Sequence, residues 1–280
     1  MSAEILTAVL GLSSGLLWGT GDFFGGLASR RISAYTVVFF GQVIGTSLLI
    51  AIVLLIGLPL PPAGDLALGG VAGIFGTIGL LFFYRALSVS KMSAAAPVTA
   101  VLAAAIPVIF GFALEGVPHV IQFVGMGLAF AAIALIAREG EGGAPALSQL
   151  RLPLLAGFGF GMYLMLIARA SSTSALWPIL MGRFASVTMI GLIGWKLGQL
   201  RRPNGAEMRL IAASGVFDTL GNSLYALSAQ VGRDAVAAVL SSLYPAATVA
   251  WAWVLLKERL RKHQLLGVAF ALTAVVLIAL

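Results

Sequence analysis

LEGVPHVIQFVGMGLAFAAIALIA at residues 114–137 returns as LKERLRKHQLLGVAFALTAVVLIA at residues 256–279. Each copy carries a glutamate near its start and runs on into one long apolar segment. Two further pairs keep nearly the same offset. YRALSVSKMSAAAPV (84–98) matches YALSAQVGRDAVAAV (225–239), and GLLWG (15–19) matches GFGFG (157–161). An offset held from the start of each half to its end marks an internal duplication. The expected halves are 1–137 and 152–280. The stretch 138–151, rich in Gly and in polar and charged residues, links them.

Composition says what the duplicated unit is. The chain has 280 residues, 60% hydrophobic and 10% charged, with a mean hydropathy of +1.05. Soluble domains carry about 25% charged residues, so this chain lacks the charge to cover a globular surface. A bilayer core needs roughly 20 apolar residues per helix. On that template the sequence predicts ten spans, near 4–27, 34–57, 66–88, 93–114, 119–137, 152–169, 175–196, 208–230, 235–256 and 263–280. MSAEILTAVL has no Lys or Arg ahead of its apolar run, so it is expected to be the first membrane helix and not a cleaved leader. Five spans per half is an odd number, so the second copy must insert upside down, the inverted plan of many secondary transporters. The fold class expected is an all-α polytopic membrane protein, two inverted five-helix repeats around a central cavity.

The net charge is +7, but the positives sit in loops, and no nucleic-acid partner is expected. Of the 17 Lys and Arg, two (Arg169 and Arg233) fall in even-numbered loops and two (Arg85 and Arg183) within spans; the other 13 fall in odd-numbered loops. The positive-inside rule then places the odd loops in the cytoplasm and both termini outside. There is no cysteine, hence no disulfide or thiol chemistry.

Pro245, Glu258-Arg259 and Gln264-Leu265-Leu266-Gly267 together resemble the repeat signature of the EamA-like drug/metabolite transporters. Trp18-Gly19 is similar to the family's opening motif. Ala86-Leu87 and Ala226-Leu227, each just after an aromatic-containing stretch, fit its third and eighth helices. The resemblance implies an exporter whose cavity is lined by helices 1, 3, 4, 6, 8 and 9. It also implies solutes such as amino acids, aromatic metabolites, amphipathic drugs or sugar derivatives. The chain departs from the pattern in places. Gly116 follows Glu115 where an arginine is usual, Pro97 and Pro107 miss the position of Pro245, and family members usually have cytoplasmic termini.

Charged groups inside a span cost about 2.5–3.5 kcal/mol on insertion scales and mark functional positions. Asp22 shares a helical face with Gly11, Gly15 and Trp18. Three readings stand: a buried pair with Arg85 or Arg183, a site for a substrate amine or a proton, and a solvated carboxylate near the helix end. Asp218, Asn222 and Tyr225 share one face of the eighth span, as a polar cavity wall or an interhelical hydrogen-bond seam. Ser241, Tyr244, Thr248 and Trp251 make a stripe on the ninth, where Pro245 removes a backbone donor and frees a carbonyl. Tyr84-Arg85 puts a phenol and a guanidinium side by side, and the arginine can grip a carboxylate, neutralise Asp22 or snorkel to the surface. Arg183 has the same choices, with the seventh helix expected outside the cavity. Glu258-Arg259 and Glu115 are expected to anchor loops.

His119 and His263 lie in expected loops, so neither a metal cluster nor a catalytic pair forms within the spans, and no cofactor is expected. The reading is a multi-pass carrier of a bacterial inner membrane, exporting amino acids or related amphipathic metabolites by alternating access. Its partners are a small-molecule substrate, the lipid bilayer and, as an open question, protons. A monomer suffices. The expected substrate-binding residues are Trp18, Asp22, Tyr84, Arg85, Asp218, Asn222, Tyr225, Ser241 and Tyr244. The alternative is an exporter of lipophilic cations with Asp22 as counter-charge. A cation site would keep Arg85 away from the cavity. An embedded enzyme or scaffold fits less well.

Overall fold

The computed structural model describes residues 3–115, 120–137, 147–170, 174, 176–231, 240–241 and 243–279. Among them are ten α-helices and no strand: α1 (Ala3–Ser29), α2 (Ala34–Ile56), α3 (Ala63–Val89), α4 (Met92–Glu115), α5 (Val120–Ala137), α6 (Leu147–Ala170), α7 (Leu176–Lys196), α8 (Gly205–Val231), α9 (Tyr244–Leu256) and α10 (Lys262–Ala279). By length and composition, four segments among the described residues are long and apolar enough to cross a membrane: Ala34–Ile56, Ala63–Val89, Leu150–Ile167 and Leu176–Lys196. Large side chains such as Leu55, Phe130 and Trp195 are exposed on the outside of the bundle. That is a cost in water and none in lipid.

Exchanging each helix of the first half with its counterpart in the second maps several of the main helix pairs onto one another, although α1–α3 and α4–α10 have no comparable counterpart among the described residues. Helix α1 packs on α8, and α6 packs on α3. Helix α2 meets α8, and α7 meets α3. The pairs α2–α7, α4–α9 and α5–α10 are their own counterparts.

Helix α9 begins later than the ninth expected span. Pro245 lies in its first turn, where a missing N–H is harmless. Leu240 and Ser241 are helical just before it, and 232–239 lie outside the described residues. Pro245 removes the donor that a continuous helix would aim at the Ser241 carbonyl. That carbonyl instead faces Gly15 of α1, where a Cβ would lie 3.0 Å from the Ser241 oxygen.

The described odd-numbered connections meet at one end. Arg30 pairs with Glu258 at 3.1 Å and donates to the Ser90 carbonyl at 3.3 Å. Lys91 donates to the Arg259 carbonyl at 3.0 Å, Thr36 to that of Gln199 at 2.8 Å and Gln264 to that of Ile136 at 3.4 Å. At the other end, Trp177 Nε1 donates to the Leu58 carbonyl at 3.1 Å, joining α7 to the α2–α3 connection. The basic loops therefore gather on one side of the bundle.

Glu258 ties that basic end together. Its carboxylate accepts from the backbone N–H of Met92 and Ser93 at 3.3 and 3.1 Å, and from the Ser93 hydroxyl at 2.8 Å. Those are orphan donors of the α4 N-terminus, where a negative charge is favoured. Lys257, at φ 53° in the left-handed region, turns the chain so that Glu258 points back. Glu258→Ala removes both the cap and the ion pair and is expected to cost about 1–3 kcal/mol. Arg30→Gln removes the partly exposed pair and the bonds to the Leu87 and Ser90 carbonyls but leaves the α4 cap, and should cost less, about 1 kcal/mol. Thermal unfolding in detergent checks the order, and equal losses would contradict it.

Candidate solute site at the junction of α1, α8 and α9

Helix α1 lies unusually close to its neighbours because glycines remove the side chains in between. A Cβ on Gly19 would overlap the Tyr244 carbonyl oxygen, and one on Gly25 would overlap the Tyr84 ring. With main chains this near, hydroxyls reach carbonyls across the gap. Ser241 Oγ donates to the Gly11 carbonyl and Thr248 Oγ1 to that of Gly19, both at 3.1 Å. Ser228 Oγ donates to the Thr7 carbonyl and Ser14 Oγ to that of Gly221, both at 2.8 Å. Trp251 Nε1 reaches Thr20 Oγ1 at 2.9 Å. Ser241 and Thr248 are fully buried. The stripe that runs from Ser241 into α9 is thus mainly a seam, and Ser241, expected to touch solute, donates its hydroxyl to α1 instead.

Tyr244 is the exception in that stripe. Its ring meets the Trp18 indole edge to face at 6.4 Å, and Tyr225 meets the same indole from α8 at 5.7 Å. Gly221 leaves room for the indole, since a Cβ there would lie 2.6 Å from Trp18 Cδ1. Trp18, Tyr225 and Tyr244 all keep part of their surface exposed although they lie between helices.

One turn further along α8, Asp218 Oδ2 accepts from Arg183 Nη2 at 2.6 Å. Arg183 Nη1 donates to Gln42 Oε1 of α2 at 3.0 Å, so one guanidinium joins α2, α7 and α8. Asn222 Nδ2 donates to the Asp218 carbonyl at 2.7 Å and lies 3.3 Å from Asp218 Oδ1. Asn222 is buried. The pair is lopsided: the side chain of Arg183 is 6% exposed and that of Asp218 is 35% exposed. Helix α7, expected outside the site, supplies its cation.

Asp22 is different. It is half-buried and has no hydrogen-bond or ion-pair partner among the described residues. Asp218 and Tyr244 lie within electrostatic reach of it. Tyr84, buried on α3, packs over Gly25 one turn along and shares a hydrogen bond with Ser214 Oγ at 2.7 Å. Arg85 is exposed. Successive helical residues point about 100° apart, so placing Tyr84 inside places its neighbour outside. Arg85 therefore neither pairs with Asp22 nor joins the site, which corrects that expectation. The pairing of Asp22 with Arg183 also fails, because Arg183 is held by Asp218.

Arg183 is the residue that sequence reasoning undervalued. Depth would have found it: the same number of residues separates Arg183 from the end of α7 at Lys196 as separates Asp218 from the start of α8 at Gly205. Both ends lie on the basic side. A groove of about 510 Å³ between α3 and α7, lined by Leu66, Ile74, Phe184 and other mostly apolar residues, opens on the outer surface away from these groups. No group of three metal-ligating side chains occurs among the described residues.

The absence of native cysteine makes accessibility easy to test. A cysteine at Tyr225 should react with a small water-soluble thiol reagent well before one at the buried Asn222 or Ser241. Equal rates would show that the aromatic group is as closed as the seam.

A search of curated proteins returns no significant match. Fifteen chains of solved structures match. One, a crystal structure, is 17% identical with a TM-score of 0.68 over 97% of this chain and 96% of its own, a likeness of fold alone. The sequence profile of the EamA-like transporter family matches twice, at residues 5–138 and 150–280. With nearly the whole chain covered by two consecutive matches, the protein belongs to the EamA-like transporter family, of the drug/metabolite transporter type.

Proposed function

We propose that this transporter exports a small organic solute that carries an amine or ammonium group, with Asp22 as the charge that receives it. The observation that carries the reading is a half-buried carboxylate without a partner, placed on the helix that also carries Trp18 and within reach of Tyr244. Aromatic faces attract cations, and a carboxylate in a low-dielectric interior needs a proton or a cation. A proton and a solute ammonium would compete for Asp22, and that competition couples transport to the proton gradient. An amino-acid substrate would also need a guanidinium for its carboxylate. Arg85 is exposed and Arg183 is engaged, so the cationic end of the expected substrate range is favoured.

The rest of the reading follows the sequence. Residues 1–137 and 152–280 act as two inverted repeats joined by 138–151, rocking about the site in alternating access. The pairing pattern of the helices and the two family matches support this. The basic end faces the cytoplasm of a bacterial cell and the termini face outward, supported by the clustering of the odd loops.

Asp22→Asn keeps the side chain's shape and removes its charge. Because Asp22 has no ionic partner, the variant should unfold at the same temperature as the native protein, within about 0.5 kcal/mol. It should lose proton-driven efflux of organic cations from reconstituted vesicles. Retained transport would overturn the reading, and a large loss of stability would mean that Asp22 is a structural partner after all.

A further inference from the structure

Among the described residues the membrane interior holds two carboxylates, Asp22 and Asp218, and one guanidinium, Arg183, and their arrangement is unequal. Arg183 is fixed: Gln42 holds one terminal nitrogen, Asp218 the other. The backbone of α2 at Gly45 leaves it no freedom, since a Cβ there would fall 2.5 Å from Nη1 and 2.6 Å from Thr219 Oγ1. The guanidinium is almost wholly covered, whereas a third of the Asp218 side chain is accessible. A solute in the interior therefore meets the carboxylate edge of the pair, with its charge already cancelled from behind.

We infer that Arg183 is a built-in counter-charge occupying the cation position of Asp218, so that the site presents one net negative charge, at Asp22, and selects singly charged solutes over doubly charged ones. Arg183 is a positioning residue in this account: it touches no solute and acts through Asp218. The inference rests on the amine-binding reading of Asp22 and adds a rule for charge. Without Arg183 two free carboxylates would face the same space, a site suited to a dication or to two cations.

The test uses the full chain in detergent or nanodiscs, with tetraphenylphosphonium as the single charge and methyl viologen as the double charge, both titrated calorimetrically. The native protein should prefer tetraphenylphosphonium by at least about ten-fold. Arg183→Gln should shift the ratio of the two affinities at least about ten-fold toward methyl viologen. Removing the arginine from a buried pair is destabilising, so a second route avoids that variant. Asp218→Asn leaves Arg183 uncancelled and should weaken tetraphenylphosphonium binding about ten-fold or more, and the double variant Arg183→Gln/Asp218→Asn should bind at least about ten-fold more tightly than Asp218→Asn alone. A loss that the second substitution does not recover means that Asp218 itself holds the cation, and the inference fails while the cationic substrate class stands. Native protein that binds neither probe removes the amine-binding reading, and this inference with it.

Discussion

A guanidinium cannot sit in the middle of an apolar bundle without an opposite charge at its own depth. That constraint sets Arg183 against Asp218 at 2.6 Å, and much of the interior follows from it. The pair joins α7 to α8, and Gln42 brings in α2. With α8 fixed, Gly221 and Tyr225 stand where the Trp18 indole needs them. Asp218 is engaged in this bond, with Arg183 behind it. Asp22 is left as the carboxylate without a partner among the described residues, which is why the proposed function assigns the solute charge to it.

The seam around α1 is made of a different material. Glycines bring main chains together, and single hydroxyls donate to carbonyls that already serve their own helix. Each such bond contributes about 1 kcal/mol, and each hydroxyl can rotate to another acceptor. Helix α1 is therefore tightly packed but not locked by charge, unlike α7 and α8. The basic end is held by stronger contacts: Glu258 caps α4 and pairs with Arg30, and Phe23, Phe83, Leu87 and Met92 are buried together nearby. Helix α1, which carries Asp22, therefore lies between a charge-locked pair and a latched end, the arrangement on which the proposed alternating access would act.

The helical class and the family were legible because periodic apolar runs and a repeat at fixed offset are local signals. Most helix starts and stops followed from the same runs; α6, however, begins at Leu147, inside the expected linker 138–151, and Pro245, which reads as a mid-span break, stands in the first turn of α9. The site was legible only in part. Trp18, Asp22, Asp218, Tyr225 and Tyr244 do converge, since each shares a helical face with small or polar neighbours. Ser241 was misread because a stripe of hydroxyls looks the same whether it faces a cavity or a neighbouring backbone; the glycines at 11, 15 and 19 opposite it decide the matter. The pair Tyr84-Arg85 does not reveal that its two side chains part, because adjacent helical residues diverge by about 100°. Arg183 needed a comparison of depths across two helices, which periodicity within one helix does not make.

The central claim is that one carboxylate receives the cation while the other stays paired. Infrared difference spectroscopy of the reconstituted protein, with and without an organic cation, reads carboxylate states directly. The account predicts a carboxylate difference band on cation addition that is present in the native protein and absent from Asp22→Asn. A band that survives in Asp22→Asn and disappears in Asp218→Asn would contradict it, and would make the Arg183 partner the group that binds.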